Sequence, residues 1–584
     1  MATSRNGTSL NGSSSDWDAI VIGSGIGGLT TASFLQTNGY RTLVLEQYDT
    51  AGGCSQVFRR KNQWEFDVGL HYVGDCEPGG IFQQAFRALG CEGKIEWLEM
   101  NPDGFDRMFF PDFMFDVPRG WDRYRERLYE YFPSERKGIE KCTRIIQKVG
   151  EEVFDTMPCH NRAFLRVPFQ GRTLMVHGLR SMASLFDSCK LSPEARAVIS
   201  GQGGLWGSPP SRTAVMMAGI MLEHYIGRGA YYPKGGGQVP AAMMVNVIQT
   251  HGGKVRTGAR VEKILIKNGK VQGVRLVDGE EISAPVVVSN ADLKRTYFDL
   301  VGREHLPRRV VRSVEKMRMV LPIFTVYLGL DIDLRERLPN ANLWWLPDYD
   351  IEKLYDDTWE GIPDWWPSAY IRSSSLKDPS NMHGAPPGHS NLEILSFVPP
   401  DYRLWKVGKS PAEGGKYSKD PEYRAVKDKL QEMLVKRTAE VVPELEDMEE
   451  HIVWKEASTP ITQERYTLST LGTPYGAEFS GKQMGPFRPQ SKSPVKGLYL
   501  CGGNTIYCHG ITGTLFSGIG AAGAILGRPD LLLEVRDGTT VFGDPSKITA
   551  GGPDWDPLMS CRRLQEKPRA KDAKQTSEAA EPVG

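Results

Sequence analysis

The run Asp18-Ala-Ile-Val-Ile-Gly23-Ser-Gly25-Ile-Gly-Gly28 sets three glycines at GxGxxG spacing directly after a short apolar strand. Gly23 permits a tight turn out of the strand, Gly25 lets the backbone approach a pyrophosphate, and Gly28 allows a helix to pack closely on the strand. Ala19 to Ile22 reads as a buried strand, Leu29 to Gln36 as a helix ended by Asn38-Gly39, and Thr42 to Leu45 as the next strand. Glu46 closes that second strand 18 residues after Gly28, where a ribose hydroxyl would be accepted. With 63 glycines in the chain, GxGxxG alone would mean little. Strand, helix, second strand and acid together predict a dinucleotide-binding βαβ unit.

A ribose-binding acid suits either FAD or NAD, and the residues downstream favour FAD. Ala51-Gly52-Gly53-Cys54-Ser55 follows Glu46 at once, then Phe66-Asp-Val-Gly-Leu-His71-Tyr72. A second glycine pair so close to the first suits a long cofactor lying across a sheet. Near the other end, Gly497-Leu-Tyr-Leu-Cys-Gly502-Gly503-Asn504 and Cys508-His509-Gly510-Ile-Thr512-Gly513 read as strand, glycine loop and helix start. Amides at such a helix N-terminus stabilise negative charge on a reduced flavin ring. The nearest second glycine motif, Gly201-Gln-Gly-Gly-Leu-Trp-Gly207, is followed by Pro209-Pro210 and lacks a ribose acid, so no built-in NAD(P)H domain is expected.

These motifs, with Leu45-Glu46-Gln47, His71-Tyr72-Val73-Gly74, Tyr232-Pro-Lys-Gly-Gly236 and Pro285-Val-Val-Val-Ser-Asn-Ala291, give a chain that resembles the phytoene-desaturase-like branch of the FAD-containing amine oxidases and desaturases. Within that branch it is similar to the retinol saturase and carotenoid isomerase group, from about Trp17 to about Leu533. The resemblance implies FAD contacts at Gly23, Gly25, Gly28, Glu46, Gly52 and Gly53, with Val261 near the adenine. It places Gly503, Asn504, Gly510 and Thr512 near the phosphates and ring. The chain lacks the hydrophobic N-terminus expected of the animal saturase, and Asp350 to Ser418 carries no motif that maps onto the family.

The cofactor motifs stand at both ends, so the chain must fold back on itself. The expected fold class is α/β: a Rossmann-like FAD-binding domain interleaved with a mixed α+β substrate domain, as in amine oxidases and phytoene desaturases. The FAD domain takes residues 16–78, 225–292 and 495–530, and the substrate domain 79–224 and 293–494. Residues 1–15 form a disordered arm, and 531–584 a C-terminal extension whose end, from 567, is a disordered tail. Within the middle FAD part, Asn268-Gly269 and Asp278-Gly279 have hairpin-turn chemistry and mark a strand-rich insertion. Ile323 to Leu328 and Leu392 to Phe397 are strand-like, and Asp420 to Val442 reads as a long charged helix.

Lys+Arg and Asp+Glu number 71 each, which leaves no basic field and argues against a nucleic-acid partner. Nine scattered cysteines without a CxxC pair fit a reducing compartment and no metal site. Cys54 and Cys508 lie in cofactor loops but read as small packed residues. No apolar stretch approaches the ~18 residues of a spanning helix, and no signal peptide is evident, so an intracellular protein peripheral on a membrane is expected, its organelle and oligomeric state open. Asn161 to Arg180 carries four arginines, no acid and interleaved apolar residues, and reads equally as a bilayer-surface segment or a basic loop over the core.

The expected activity is oxidoreduction of a lipophilic polyene, foremost saturation of a carbon-carbon double bond in a retinol-like substrate. His71 and His509 are the titratable residues inside the flavin-linked motifs and are the candidate proton donors. Redox-neutral cis-trans isomerisation of a carotenoid and phytoene-type desaturation remain alternatives, since one flavin motif serves all three. A non-enzymatic alternative is a binder of lipidated proteins, like the prenylated-GTPase dissociation inhibitors that share this fold. Electrons would be exchanged with an external NAD(P)H, quinone or protein. The aromatic pairs Trp344-Trp345 and Trp365-Trp366, with Trp206 and Tyr349, would wall a hydrocarbon tunnel or simply pack a core.

Overall fold

In the structure, a computed structural model, residues 17–156, 169–361, 368–552 and 554–564 are described. The strand before the glycine motif, β1 (Ala19–Ile22), is buried along its whole length, so both its faces are apolar, as a central parallel strand requires. It pairs in parallel with β2 (Thr42–Leu45) on one side and Val286–Ser289 on the other. Lys254–Arg256 and Leu498–Leu500 complete a five-stranded parallel sheet from three separate parts of the chain. Gly23, at φ +90°, makes the turn into α1 (Ile26–Thr37).

Small residues explain how the two ends of the chain meet. The C-terminal helix Gly510–Leu526 crosses α1 so closely that a Cβ on Gly518 would lie 2.6 Å from the Gly27 carbonyl oxygen. The Thr31 hydroxyl is shared between the carbonyls of Gly27 (2.8 Å) and Gly518 (3.1 Å), so this side chain ties the two helices together. The hairpin Val261–Lys267/Lys270–Leu276 turns on Asn268 and Gly269, both at positive φ, and is continued by Glu281–Ser283 into a three-stranded sheet.

A seven-stranded sheet forms the second layer, ordered Ile452–Ser458, Ile323–Leu330, Ser390–Phe397, Ala369–Arg372, Asn342–Trp345, Asp106–Phe109, Met114–Val117. It is antiparallel except where Asn342–Trp345 runs beside Asp106–Phe109. The segment without a family motif thus supplies two interior strands, and the charged helix spans Pro421–Val441. A buried ionic cluster fastens this sheet to the hairpin Val57–Arg60/Trp64–Asp67. Arg372, fully buried, bonds Asp67 Oδ2 at 3.0 Å and also Glu393, while Tyr232 donates to Asp67 at 2.7 Å.

Two segments outside the expected FAD-binding stretches pack against their sheet. The helix Ile81–Ala88, expected in the substrate domain, packs Phe82, Ala85 and Phe86 into the core that covers the five-stranded sheet. Leu531, Leu532, Val535 and Cys561 enter the same core, and Ala51 N–H donates to the Cys561 carbonyl, so the described part of the C-terminal extension packs with the five-stranded sheet. The expected arm, the end of the tail, Trp365-Trp366 and the first half of the basic segment lie outside the described residues. Among the described residues no helix is long and apolar enough to cross a membrane.

Candidate functional site

A groove of about 680 Å³ runs along the C-terminal edge of the parallel sheet, where ligands bind in such folds. Gly23, Gly25, Glu46, Gly52, Gly53, Val261, Gly503, Asn504, Gly510, His71 and His509 all line it. Its phosphate end is built from bare backbone. A Cβ on Gly53 would stand 2.8 Å from Gly25 Cα, and one on Gly25 would stand 2.8 Å from Asn290 Nδ2, so both positions exclude a side chain where a pyrophosphate would approach α1. Glu46 accepts from Ser24 N–H (2.9 Å), the Ser24 hydroxyl (2.6 Å) and Tyr48 N–H (2.9 Å). A carboxylate offers about four acceptor positions, which leaves room for a ribose hydroxyl. The glycine cradle, helix N-terminus and acid therefore fit a flavin dinucleotide.

Two expected contacts do not line the groove. Gly28 is a packing residue, since a Cβ there would meet the Gly23 carbonyl oxygen at 2.1 Å. Thr512 is turned inward, its Oγ1 donating to His224 Nε2 at 3.0 Å, and the same nitrogen accepts from Gly74 N–H at 2.8 Å. The Thr512 side chain thus holds the helix start in place and does not line the groove. Asn290, not singled out from sequence, lies against Gly25, Gly27 and Gly502 and joins the N-terminal and C-terminal loops. Its position at the end of the Pro285 to Ala291 run was the available signal.

Beside the groove lies a narrow apolar cavity of about 70 Å³. Leu205, Ile323, Trp344, Trp345, Leu354, Phe397 and others wall it, and the two spaces share His71, Ile323, Leu395 and Tyr475. The helix Ile351–Glu360 presents Ile351, Leu354, Tyr355 and Thr358 to it, a stripe at helical spacing. Trp344 and Trp345 thus do wall a cavity, while Trp206 packs in the core. The hydroxyls of Ser200 and Tyr370 are buried without a partner, and both residues line this cavity.

The two histidines differ. His71 stands at the junction, and burial, reinforced by the nearby charges of Arg372 and Lys377, holds its imidazole well below the usual range, hence neutral. Its Nδ1 has no partner. Lys377 Nζ donates to the His71 carbonyl at 2.7 Å, and burial pushes this lysine down to about 7. His509 is brought by burial to about 3, and its Nε2–H donates to the Leu205 carbonyl at 2.6 Å. That leaves Nδ1 of His509 as an acceptor with no proton to give, which argues against its expected role as donor. Burial pushes the Cys54 and Cys508 thiols up, so neither is a ready thiolate. Among the described residues no cluster of metal-ligating side chains occurs.

Comparison with known proteins agrees with this geometry. Residues 26–526 match the family described as flavin containing amine oxidoreductase. All-trans-retinol 13,14-reductase of Danio rerio is 30% identical over 548 residues, covering 88% of this chain and 86% of that protein. A chloroplastic prolycopene isomerase of Daucus carota is 28% identical over 543 residues, covering 90% and 82%. A putrescine oxidase structure shares the fold with TM-score 0.59 at 13% identity, covering 88% of this chain and 99% of that one. The chain belongs to the flavin-containing amine oxidoreductase family.

Proposed function

We propose that the protein is an FAD-dependent reductase that saturates a carbon-carbon double bond of a retinol-like polyene. The observation that carries this reading is the junction itself, where a dinucleotide-sized groove and an apolar cavity share His71, Ile323, Leu395 and Tyr475. Bound FAD would supply two-electron transfer to the double bond. The apolar walls exclude water from the reacting carbons and would align the chain of the polyene. The imidazole of His71 would hand a ring proton to the carbon next to the one reduced, a role supported by its lining both spaces.

Ser200 and Tyr370 favour a polyene that carries an oxygen over a pure hydrocarbon, because a polar ligand atom would partner the hydroxyls that no described protein group engages. This agrees with the similarity to retinol reductases. At about 70 Å³ the cavity is too small for a polyene as it stands, so binding one requires its walls to give way. Electrons would arrive from an external NAD(P)H, quinone or protein. Peripheral contact with a bilayer is supported by Phe169, Met175, Val176 and Leu179, which are 87%, 60%, 62% and 47% exposed and stand among Arg172 and Arg180.

The test is anaerobic incubation of the FAD-loaded, pre-reduced protein with all-trans-retinol and, in parallel, a poly-cis carotene, with mass-resolved product analysis. A retinol product heavier by two hydrogens is expected. Unchanged mass with altered retention from the carotene would replace saturation by isomerisation, the reading favoured by the prolycopene isomerase relatives. A lighter product from reactions started with oxidised FAD would point to desaturation.

A further inference from the structure

Among the described residues, Arg488 is the buried arginine that makes no ion pair with a carboxylate. It is 2% exposed, and its hydrogen bonds all go to backbone carbonyls: Nε to Gln483 (2.8 Å), Nη1 to Gly503 (2.8 Å), Nη2 to Ala477 (2.5 Å) and Glu478 (3.3 Å). Its guanidinium stacks on Phe479 at 4.3 Å. The neighbouring Glu478 carboxylate is turned to Arg212 (3.2 Å) and Arg318 (3.1 Å). Arg372, equally buried, makes the contrast, since two carboxylates neutralise it. Burial opposes charge on Arg488, yet an arginine side chain does not give up its proton in a protein. Among the described residues, carbonyl dipoles and a ring face stabilise this enclosed positive charge but no carboxylate neutralises it, an arrangement that an anion arriving from outside the chain would favour.

The position of Arg488 indicates which anion. The carbonyls it grips belong to segments whose neighbours Gly476, Gly503 and Asn504 line the cofactor groove. Phe479 touches His509 at 4.4 Å and His509 touches Tyr475 at 4.4 Å, so the guanidinium stands behind the junction where groove and cavity meet. A flavin ring must reach that junction to meet a substrate. The N-terminus of the helix Gly510–Leu526 opens beside it and adds positive potential of the same sign.

We propose that Arg488 is a charge-setting, positioning residue for the flavin: its guanidinium balances the negative charge that the ring acquires on reduction, and so raises the potential of the bound cofactor. Two electrons from an external reductant and one proton turn a neutral ring into an anion, so a fixed cation favours the reduced form over the oxidised one. This rests on the FAD reading above.

The holoprotein tests it without any substrate. Sulfite adds reversibly to an oxidised flavin and places a comparable negative charge on the ring. Arg488→Gln is expected to weaken sulfite binding by about tenfold or more, with a two-electron midpoint potential lowered by about 30 mV for each tenfold. Arg488→Lys, which keeps the charge, is expected to stay within about threefold of the native protein. Wild-type sulfite affinity and potential in a flavin-loaded Arg488→Gln would overturn the proposal, as would weakened FAD binding at unchanged potential, the signature of a pyrophosphate contact or a mere loop clamp. Should Arg488→Gln lose its flavin altogether, Arg488→Lys decides: sulfite affinity and potential within about threefold and 15 mV of the native protein support the assignment, and a fall of about tenfold and 30 mV refutes it. A native protein that takes up no FAD would instead fail the cofactor reading before any variant is measured.

Discussion

Replacing Gly28 by alanine puts a Cβ 2.1 Å from the Gly23 carbonyl oxygen and 3.1 Å from Asn290 Cβ. A comfortable carbon-oxygen contact is about 3.3 Å, so α1 must retreat from β1 by about 1 Å. Overpacking of this kind costs about 1–3 kcal/mol of stability. The larger effect falls on the cofactor. Amides at the N-terminus of α1 that would meet a phosphate at about 2.9 Å move to about 3.9 Å, beyond hydrogen-bonding reach. Each hydrogen bond to a charged group contributes about 1.5–3 kcal/mol, so losing two weakens FAD by about 3–6 kcal/mol, or roughly 10²- to 10⁴-fold in Kd. Titration calorimetry of the apoprotein with FAD, beside thermal unfolding of the same samples, separates the two effects. Gly408→Ala is the control, because nothing lies within 4 Å of a Cβ there. Gly23→Ala should fall between, since its Cβ meets only atoms 3.6 Å or more away and the cost is backbone strain at φ +90°, about 1–2 kcal/mol. If Gly28→Ala binds FAD within about threefold of the native protein, the close-packing argument is wrong.

Acid should destabilise the protein through its buried histidines. His224 is pushed down by burial to about 3 from 6.5, so the unfolded chain takes up a proton that the folded one refuses, and stability falls as pH drops from about 6.5 toward 3. His224→Gln should lessen that fall by about 1.4 kcal/mol per pH unit between pH 6 and 4, measured by urea unfolding. Equal slopes in the two proteins would refute it. Arg372→Met leaves Asp67 and Glu393 unpaired in the interior and should cost about 3–5 kcal/mol in the same assay, and a loss below about 1 would show that the cluster is not an ionic fastening. A Cβ on Gly204 would lie 2.6 Å from Trp344 Cζ3, so Gly204→Val should close the apolar cavity, abolishing polyene turnover while the bound-flavin spectrum persists. Undiminished product from that variant would place the substrate elsewhere.

What the sequence by itself determined were the features encoded within a few residues of one another. Gly23 at positive φ, the buried Ala19–Ile22 strand, the Asn268-Gly269 turn and the helix opening at Gly510 are local choices of dihedral angle and hydrophobic period, and these carried the cofactor half of the site. Tertiary structure alone decided the rest. That Thr512 turns inward to His224, that the Nε2 proton of His509 is spent on Leu205, and that no carboxylate among the described residues pairs with the buried Arg488 are consequences of residues distant in sequence meeting in space. The junction of groove and cavity has the same origin, because Tyr370 and Leu395 come from the stretch that carries no family motif and reach His71 only through strand register in the seven-stranded sheet. A side chain's charge, tautomer and partners depend on its three-dimensional neighbours and on how completely they exclude water, and neither quantity is written in local spacing.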